Sequence, residues 1–332
     1  MRELTPETIT DAVLGQMAAT PDPRTREVMA AAVKHLHAFA REVNLTPGEW
    51  IKGIEFMTSV GKMCTPERQE FILLSDTLGL SALVNGLHDK TAVEEGTHTS
   101  LLGPFYRENA PKLALGSQIA RTVKPGTECA LWGRVTDVQG KPLPNATVSV
   151  WQTGADGLYD IQESATAVDY RGVFVADAEG RYFLRTVKPI GYSIPMDGPV
   201  GAMVRAQSRH GMRPAHIHFL VGAPGYRELV TALYLRDDPY LADDVVFGSS
   251  GDLAVDLEAN DPESPLKGLP SIRFDLSLSR EGKVDKDTGR VGADPAAIVK
   301  AATPAMATSA AGPKAAEQPQ RKVGILGSLF GR

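Results

Sequence analysis

Two cysteines in 332 residues, Cys64 and Cys129, lie far apart with no CxxC spacing, which argues against a thiolate zinc site and a disulfide scaffold. Basic excess is missing too. The 35 Lys and Arg face 40 Asp and Glu, and both signs are mixed along the chain, so the net charge of −5 gives no nucleic-acid footprint. No apolar run reaches the ~20 residues that a membrane span needs. The first residues are acidic and polar, and no targeting segment is visible. The expectation is a cytoplasmic protein with small or neutral partners.

Histidine is also scarce, with seven in all, yet two of them fall in Arg213-Pro214-Ala215-His216-Ile217-His218-Phe219. Successive side chains on a strand point to opposite faces, so His216 and His218 share one face while Ile217 and Phe219 turn into the sheet packing. Pro214 suits a strand start or edge, where a pocket can open. Imidazole is the commonest metal ligand, and two imidazoles converge here.

Residues 1 to about 90 read as helices. Thr5-Pro6, Asp22-Pro23, Thr46-Pro47 and Thr65-Pro66 each pair an N-cap side chain with a proline at the first helical position. Val28, Met29, Ala32, Val33, Leu36 and Phe39 recur at helical spacing, as do Ile51, Ile54, Phe56, Met57 and Val60. A fourth segment, Phe71 to Val84, is more apolar than a solvent-covered helix needs, and predicts packing against another domain or subunit. After His98 short runs bounded by Gly, Pro, Asn and Asp predict strands over 128–136, 146–152, 170–176, 182–187, 215–221, 228–235 and 271–278. Asp137 to Gly140 and Asp177 to Gly180 supply turns. The fold class is α+β: a helical N-terminal region over 1–100, an antiparallel β-sandwich over 101–284, and a disordered tail over 285–332.

A metal on the histidine pair needs more ligands, and no acid or cysteine stands at a persuasive spacing. Tyr159 and Tyr192 do, each in a turn-forming context at a strand end. Each alone could be a buried ring with a backbone acceptor. An unperturbed phenol has a pKa of about 10, so phenolate ligation at neutral pH requires a strongly stabilising cation. Ferric iron is one.

The set Tyr159, Tyr192, Arg213, His216 and His218, in the words GLYD, PIGYSIP and RPAHIHF, resembles the intradiol ring-cleavage dioxygenases. The resemblance runs from about Leu101 to Gly248, and the helical start is similar to the family's dimerisation region. Within the family the chain looks closest to hydroxyquinol 1,2-dioxygenases, on FILLSD (71–76), LGPFY (102–106), YDIQ (159–162), IPMDGPVG (194–201) and DVVFG (244–248). The resemblance implies one Fe(III) per chain, with Tyr159 and His216 as equatorial ligands and Tyr192 and His218 as the axial pair. It makes Arg213 the positive charge over the substrate ring and Tyr192 a group that leaves with a proton. Leu73, Asp76, Leu101, Leu102, Gly103, Pro104, Phe105, Ile194, Pro195, Arg213 and Val246 would line the pocket, with Asp76 a partner for a third ring hydroxyl. A homodimer through the helices follows from the same resemblance, at an interface that can hold a lipid-like molecule.

One position departs from the pattern, because Ala232 stands where relatives usually carry Gln or His. A larger or differently substituted ring could use that space. The implied reaction takes an aromatic diol and O2 to a muconate-type diacid, with hydroxyquinol giving maleylacetate. The alternatives are a catechol or chlorocatechol 1,2-dioxygenase giving cis,cis-muconate, a zinc hydrolase on the HxH pair, and a non-catalytic transthyretin-like binding module.

Overall fold

The computed structural model describes residues 4–65, 68–89, 95–122, 124–164, 166 and 168–280. The expected tail beyond 284 lies outside the described residues. Thr5 closes a turn by accepting from the Thr8 amide, and the first helix, α1 (Ile9–Met17), begins later than Thr5-Pro6 suggests. The next two starts obey their chemistry. Asp22 accepts from the Thr25 amide at 2.5 Å ahead of α2 (Pro23–Glu42), and Thr46 and Glu49 form a capping box at α3 (Pro47–Met63). Thr65-Pro66 opens no helix. Thr65 instead bridges to Arg68, Pro66 lies outside the described residues, and α4 (Glu70–Thr77) starts at Glu70. The single fourth helix is also corrected: Gly79, at φ +72°, ends α4 and starts α5 (Leu80–Asp89), with a 74° bend between them. No single described helix is long and apolar enough to cross a membrane.

From Glu128 onward strands take over: β1 (Glu128–Asp137), β2 (Thr147–Trp151), β3 (Arg171–Val175), β4 (Arg181–Val187), β5 (Tyr192–Ser193), β6 (Met212–Arg213), β7 (His216–Gly222), β8 (Leu229–Leu235), β9 (Ala254–Val255), β10 (Leu257–Glu258), β11 (Ser271–Arg273) and β12 (Leu276–Leu278). Short helices α6 (Asp160–Glu163) and α7 (Pro199–Ala206) interrupt them. One sheet runs β10-β11-β1-β12 with β4 also on β1, and the other runs β3-β2-β7-β8-β9. Leu131, Tyr182, Leu184 and Ile272 from the first face Val148, Val150, Phe174, Ile217 and Phe219 from the second in one buried core. Each such side chain contributes about 1.5–3 kcal/mol by leaving water.

The ladders are antiparallel except β1 with β11, β1 with β12, and β8 with β9, which are parallel. The strand expected over 271–278 is interrupted at Phe274 and Asp275. There the Asp275 carboxylate, not a backbone carbonyl, takes the Arg134 amide at 2.9 Å, and the register then resumes at Val135 opposite Leu276. Both expected Asp-to-Gly turns form, each with its aspartate accepting one amide inside the turn, from Gln139 or Glu179, and one just past the glycine, from Lys141 or Arg181.

The helical part meets the sandwich through α4 and α7. Buried Glu70 accepts from the Val200 amide at 3.2 Å and pairs with Arg68, which also holds Asp197. Val60, Leu73, Leu74, Val200 and Val204 close a second apolar core with Leu101, Ile194, Val245 and Val246. Leu36 and Phe39 of α2, Trp50 and Ile54 of α3, and Leu83 and Leu87 of α5 stay exposed in the single chain.

Candidate active site

The pleat of β7 sends Ile217, Phe219 and Val221 into the inter-sheet core and turns His216 and His218 to the other face, each 2% exposed. Their rings meet edge to face with centroids 4.7 Å apart. The Pro214 carbonyl accepts from His216 Nδ1 at 2.6 Å. Arg213 Nη1 donates to His216 Nε2 at 3.0 Å, and a guanidinium only donates, so Nε2 is the bare nitrogen. His218 stacks on Trp151 of β2 at 5.0 Å, and its Nδ1 is buried with no hydrogen bond of normal geometry.

The ribbon β5–β6 pairs Tyr192 directly with Arg213. Tyr159 arrives from the loop after β2. Its amide donates to Gln162 Oε1 at 2.9 Å, and both carboxylate oxygens of its neighbour Asp160 accept from the Nε–Nη2 edge of buried Arg171. Arg171 Nη1 also donates to the Phe105 carbonyl at 3.2 Å, and the Phe105 ring stacks on Tyr159 at 4.5 Å. One ion pair therefore sets both the tyrosine and the ring lying on it. Tyr159 Oη ends 3.4 Å from His216 Nε2, and the Tyr192 ring lies 5.7 Å from Tyr159 and 5.4 Å from His216.

Charge is disfavoured on His216, His218 and Tyr159. Burial, then Arg213, holds His216 well below the usual imidazole range; burial, then His216 and Arg213, does the same to His218. Both are therefore neutral, as metal ligands must be. Burial, then Tyr192, raises the Tyr159 phenol well above 10. Its proton leaves only beside a strong cation. Burial opposes the charge on Arg213, but Asp244, Tyr192 and Tyr234 outweigh it and keep the guanidinium charged. The four donors could hold one metal ion, and the donor set, phenol oxygen with bare imidazole nitrogen, suits a hard, highly charged cation. Among the described residues no three His, Cys, Asp or Glu side chains converge, which leaves a zinc hydrolase without its usual third ligand.

Of the other expected residues, Leu73, Leu101, Ile194 and Val246 share the apolar core beneath α4 and α7, while Leu102 packs with Phe105, Tyr159 and Tyr192. Gly103 takes φ +73°, which brings its backbone against the His218 ring. Pro104 and Pro195 are half-buried in the same two loops. Asp76 is 4% exposed; burial raises its carboxyl to about 6, against the Ser81 hydroxyl and Arg213, which lower it, while Asp244 adds to the rise. Ala232 is buried and pairs with His218 across the β7–β8 ladder. A cavity of about 360 Å³ lined by Ala82, Asn85, Leu101, Phe247 and Gly248 opens alongside.

Sequence reasoning missed the partners of Arg213. Asp244 takes Nε and Nη2, each at 3.2 Å, and Tyr234 takes Nη2 at 3.3 Å. Asp244 was visible only as part of DVVFG, and Tyr234 only by its distance of two from Ala232 on the same strand.

A family model described as Dioxygenase matches residues 101–280, and one described as Catechol dioxygenase N terminus matches 22–96. The 6-chlorohydroxyquinol 1,2-dioxygenase of Cupriavidus pinatubonensis is 47% identical over 249 residues, covering 75% of this chain and 90% of its own length. The chain belongs to the intradiol ring-cleavage dioxygenase family. The hydroxyquinol 1,2-dioxygenase of Rhodococcus opacus, another relative, is 43% identical over 82% of this chain and 93% of that one. The solved structure of hydroxyquinol 1,2-dioxygenase from Pseudomonas putida matches this intradiol dioxygenase with a TM-score of 0.76 and 40% identity, over 83% of this chain and 99% of that one. The protein is thus an oxidoreductase, and the binding-module alternative falls away.

Proposed function

We propose that the enzyme is a ferric intradiol dioxygenase that opens hydroxyquinol between its two adjacent hydroxylated carbons, adding O2 to give maleylacetate. Both oxygen atoms enter the product, so no external reductant is needed. The observation that carries this reading is the convergence of Tyr159, Tyr192, His216 and His218 in one buried pocket with Arg213 against it. Ferric iron held by these four residues would supply the Lewis acid that binds both ring oxygens and makes the ring reactive toward O2.

The remaining work falls to the chain itself. Tyr192, ionised where it would hold the metal, would take up one of the two ring-hydroxyl protons at Oη, and a solvent-derived base would take the other. Arg213 Nη1 faces the negative charge that grows on the ring oxygens, where a preorganised cation is worth several kcal/mol. Leu73, Leu101, Ile194 and Val246 exclude water from the reacting ring. Asp76 accepts the third hydroxyl, which catechol lacks. The names of relatives in two genera, Cupriavidus and Rhodococcus, agree with a trihydroxylated ring.

A substituted ring is the second reading, favoured by the small side chain of Ala232 opposite His218. The exposed apolar faces of α2, α3 and α5 support a homodimer through the helices. Oxygen uptake with hydroxyquinol, catechol and 4-chlorocatechol tests the substrate assignment. Fastest turnover of hydroxyquinol, with that preference lost in Asp76→Ala, is expected. Preference for catechol, or a preference unchanged in Asp76→Ala, would overturn the assignment of substrate or of Asp76 respectively.

A further inference from the structure

We infer that Asp244 and Tyr234 are positioning residues that hold Arg213 in the one orientation that turns Nη1 toward the pocket. This rests on the reading of Arg213 as the charge that faces the substrate. Arg213 is 4% exposed, so its orientation is decided by protein groups rather than by water. Asp244 occupies one whole edge of the guanidinium, taking Nε and Nη2 at 3.2 Å each. The carboxylate is itself fixed by the amides of Val246 and Gly248, at 3.3 and 3.1 Å.

Hydrogen accounting settles the role of Tyr234. Ser100 Oγ has one proton and gives it to the Gly248 carbonyl at 2.9 Å. At the 2.9 Å contact between Tyr234 and Ser100, Tyr234 is therefore the donor, and its oxygen is left to accept from Arg213 Nη2. Tyr234 thus works as a neutral phenol that bridges Ser100 to the guanidinium, unlike Tyr159, whose hydroxyl faces His216. Gly248 completes the clamp: a Cβ there would stand 2.9 Å from Tyr234 Oη and 3.1 Å from Arg213 Nη2. Only Nη1 remains facing His216 Nε2. That nitrogen's lone pair serves one partner at a time, so a metal on His216 frees the Nη1–H for an oxygen beside it.

The test is a double-mutant cycle on the iron-loaded enzyme with Asp244→Asn, Tyr234→Phe and Arg213→Gln, singly and paired with Arg213→Gln. Each variant is read by kcat, KM, iron per chain, and the Kd of hydroxyquinol from calorimetry without oxygen. Asp244→Asn and Tyr234→Phe should keep their iron and lower kcat about tenfold to a hundredfold with KM little changed. In the Arg213→Gln background each should cost less than about twofold. Equal costs with and without Arg213, or activity lost in proportion to iron, would overturn the inference while an active wild type keeps the dioxygenase reading. A wild type that neither binds nor turns over any of the three diols would remove both. If Asp244→Asn does not fold, Tyr234→Phe, which buries no lone charge, decides the same cycle.

Discussion

Asp76→Asn isolates the cost of keeping a carboxylate under α4. Burial raises the Asp76 carboxyl from 3.8 to about 6, opposed by Ser81 and Arg213 and reinforced by Asp244. A carboxyl raised on folding contributes stability that is fully present below pH 3.8 and is lost as pH rises through 6. Above that window the ionised group destabilises the fold by about 3 kcal/mol, the rise from 3.8 to about 6 taken at 1.36 kcal/mol per pH unit. About half of this, roughly 1.5 kcal/mol, develops between pH 5 and pH 8. The asparagine variant cannot ionise, so its stability relative to wild type should grow by that amount over the interval. Urea titrations of both proteins at pH 5 and pH 8, at one protein concentration, measure it. A difference that stays flat with pH, or that shrinks toward pH 8, would refute the reasoning. A charge retained at this cost is expected where the reaction uses it, so the same variant should lose preference for hydroxyquinol while gaining stability.

Arg171→Ala removes the nearest cation from buried Asp160, leaving it Arg107 at 3.8 Å and the amides of Ile161 and Asp169, and should lose about 3 kcal/mol in urea titration, the low end for breaking a buried pair; a loss near zero would mean the Asp160–Arg171 pair does not bear on the fold. Gly248→Ala must push Tyr234 Oη or Arg213 Nη2 aside, so turnover should drop along with about 1–3 kcal/mol of stability. An unchanged variant would show that the backbone does not approach that closely. Tyr159→Phe should lower iron per chain, measured by elemental analysis, and weaken the visible band; full iron with an unchanged band would exclude Tyr159 as a ligand.

The histidine pair was legible because strand alternation fixes its face whatever the tertiary context, and both rings do share one buried face. Tyr159 and Tyr192 were legible through their motif words alone, since nothing local says that two turns far apart in sequence meet. Tyr192 reaches the site because β5 pairs with β6, two strands of two residues each, too short for any periodic signal. The Arg213 clamp was hidden for a similar reason. Tyr234 meets His216 only through the register of β7 on β8, and Asp244 sits in a loop whose shape depends on its own capture of backbone amides. Arg171 looked like an ordinary strand residue, and its pairing with Asp160 needs the sheet already folded. The break at Gly79 disappeared inside the apolar run from Leu78 to Leu80. There a left-handed glycine, not a polar interruption, ends the helix.

The visible absorption spectrum of the purified protein, recorded without oxygen before and after hydroxyquinol is added, bears most directly on the four-residue site. A broad red-brown band from tyrosinate-to-iron charge transfer, moving to longer wavelength with hydroxyquinol, is the predicted result. A protein that stays colourless and unresponsive after iron loading would contradict the assignment of Tyr159, Tyr192, His216 and His218 as the ligands of a ferric centre.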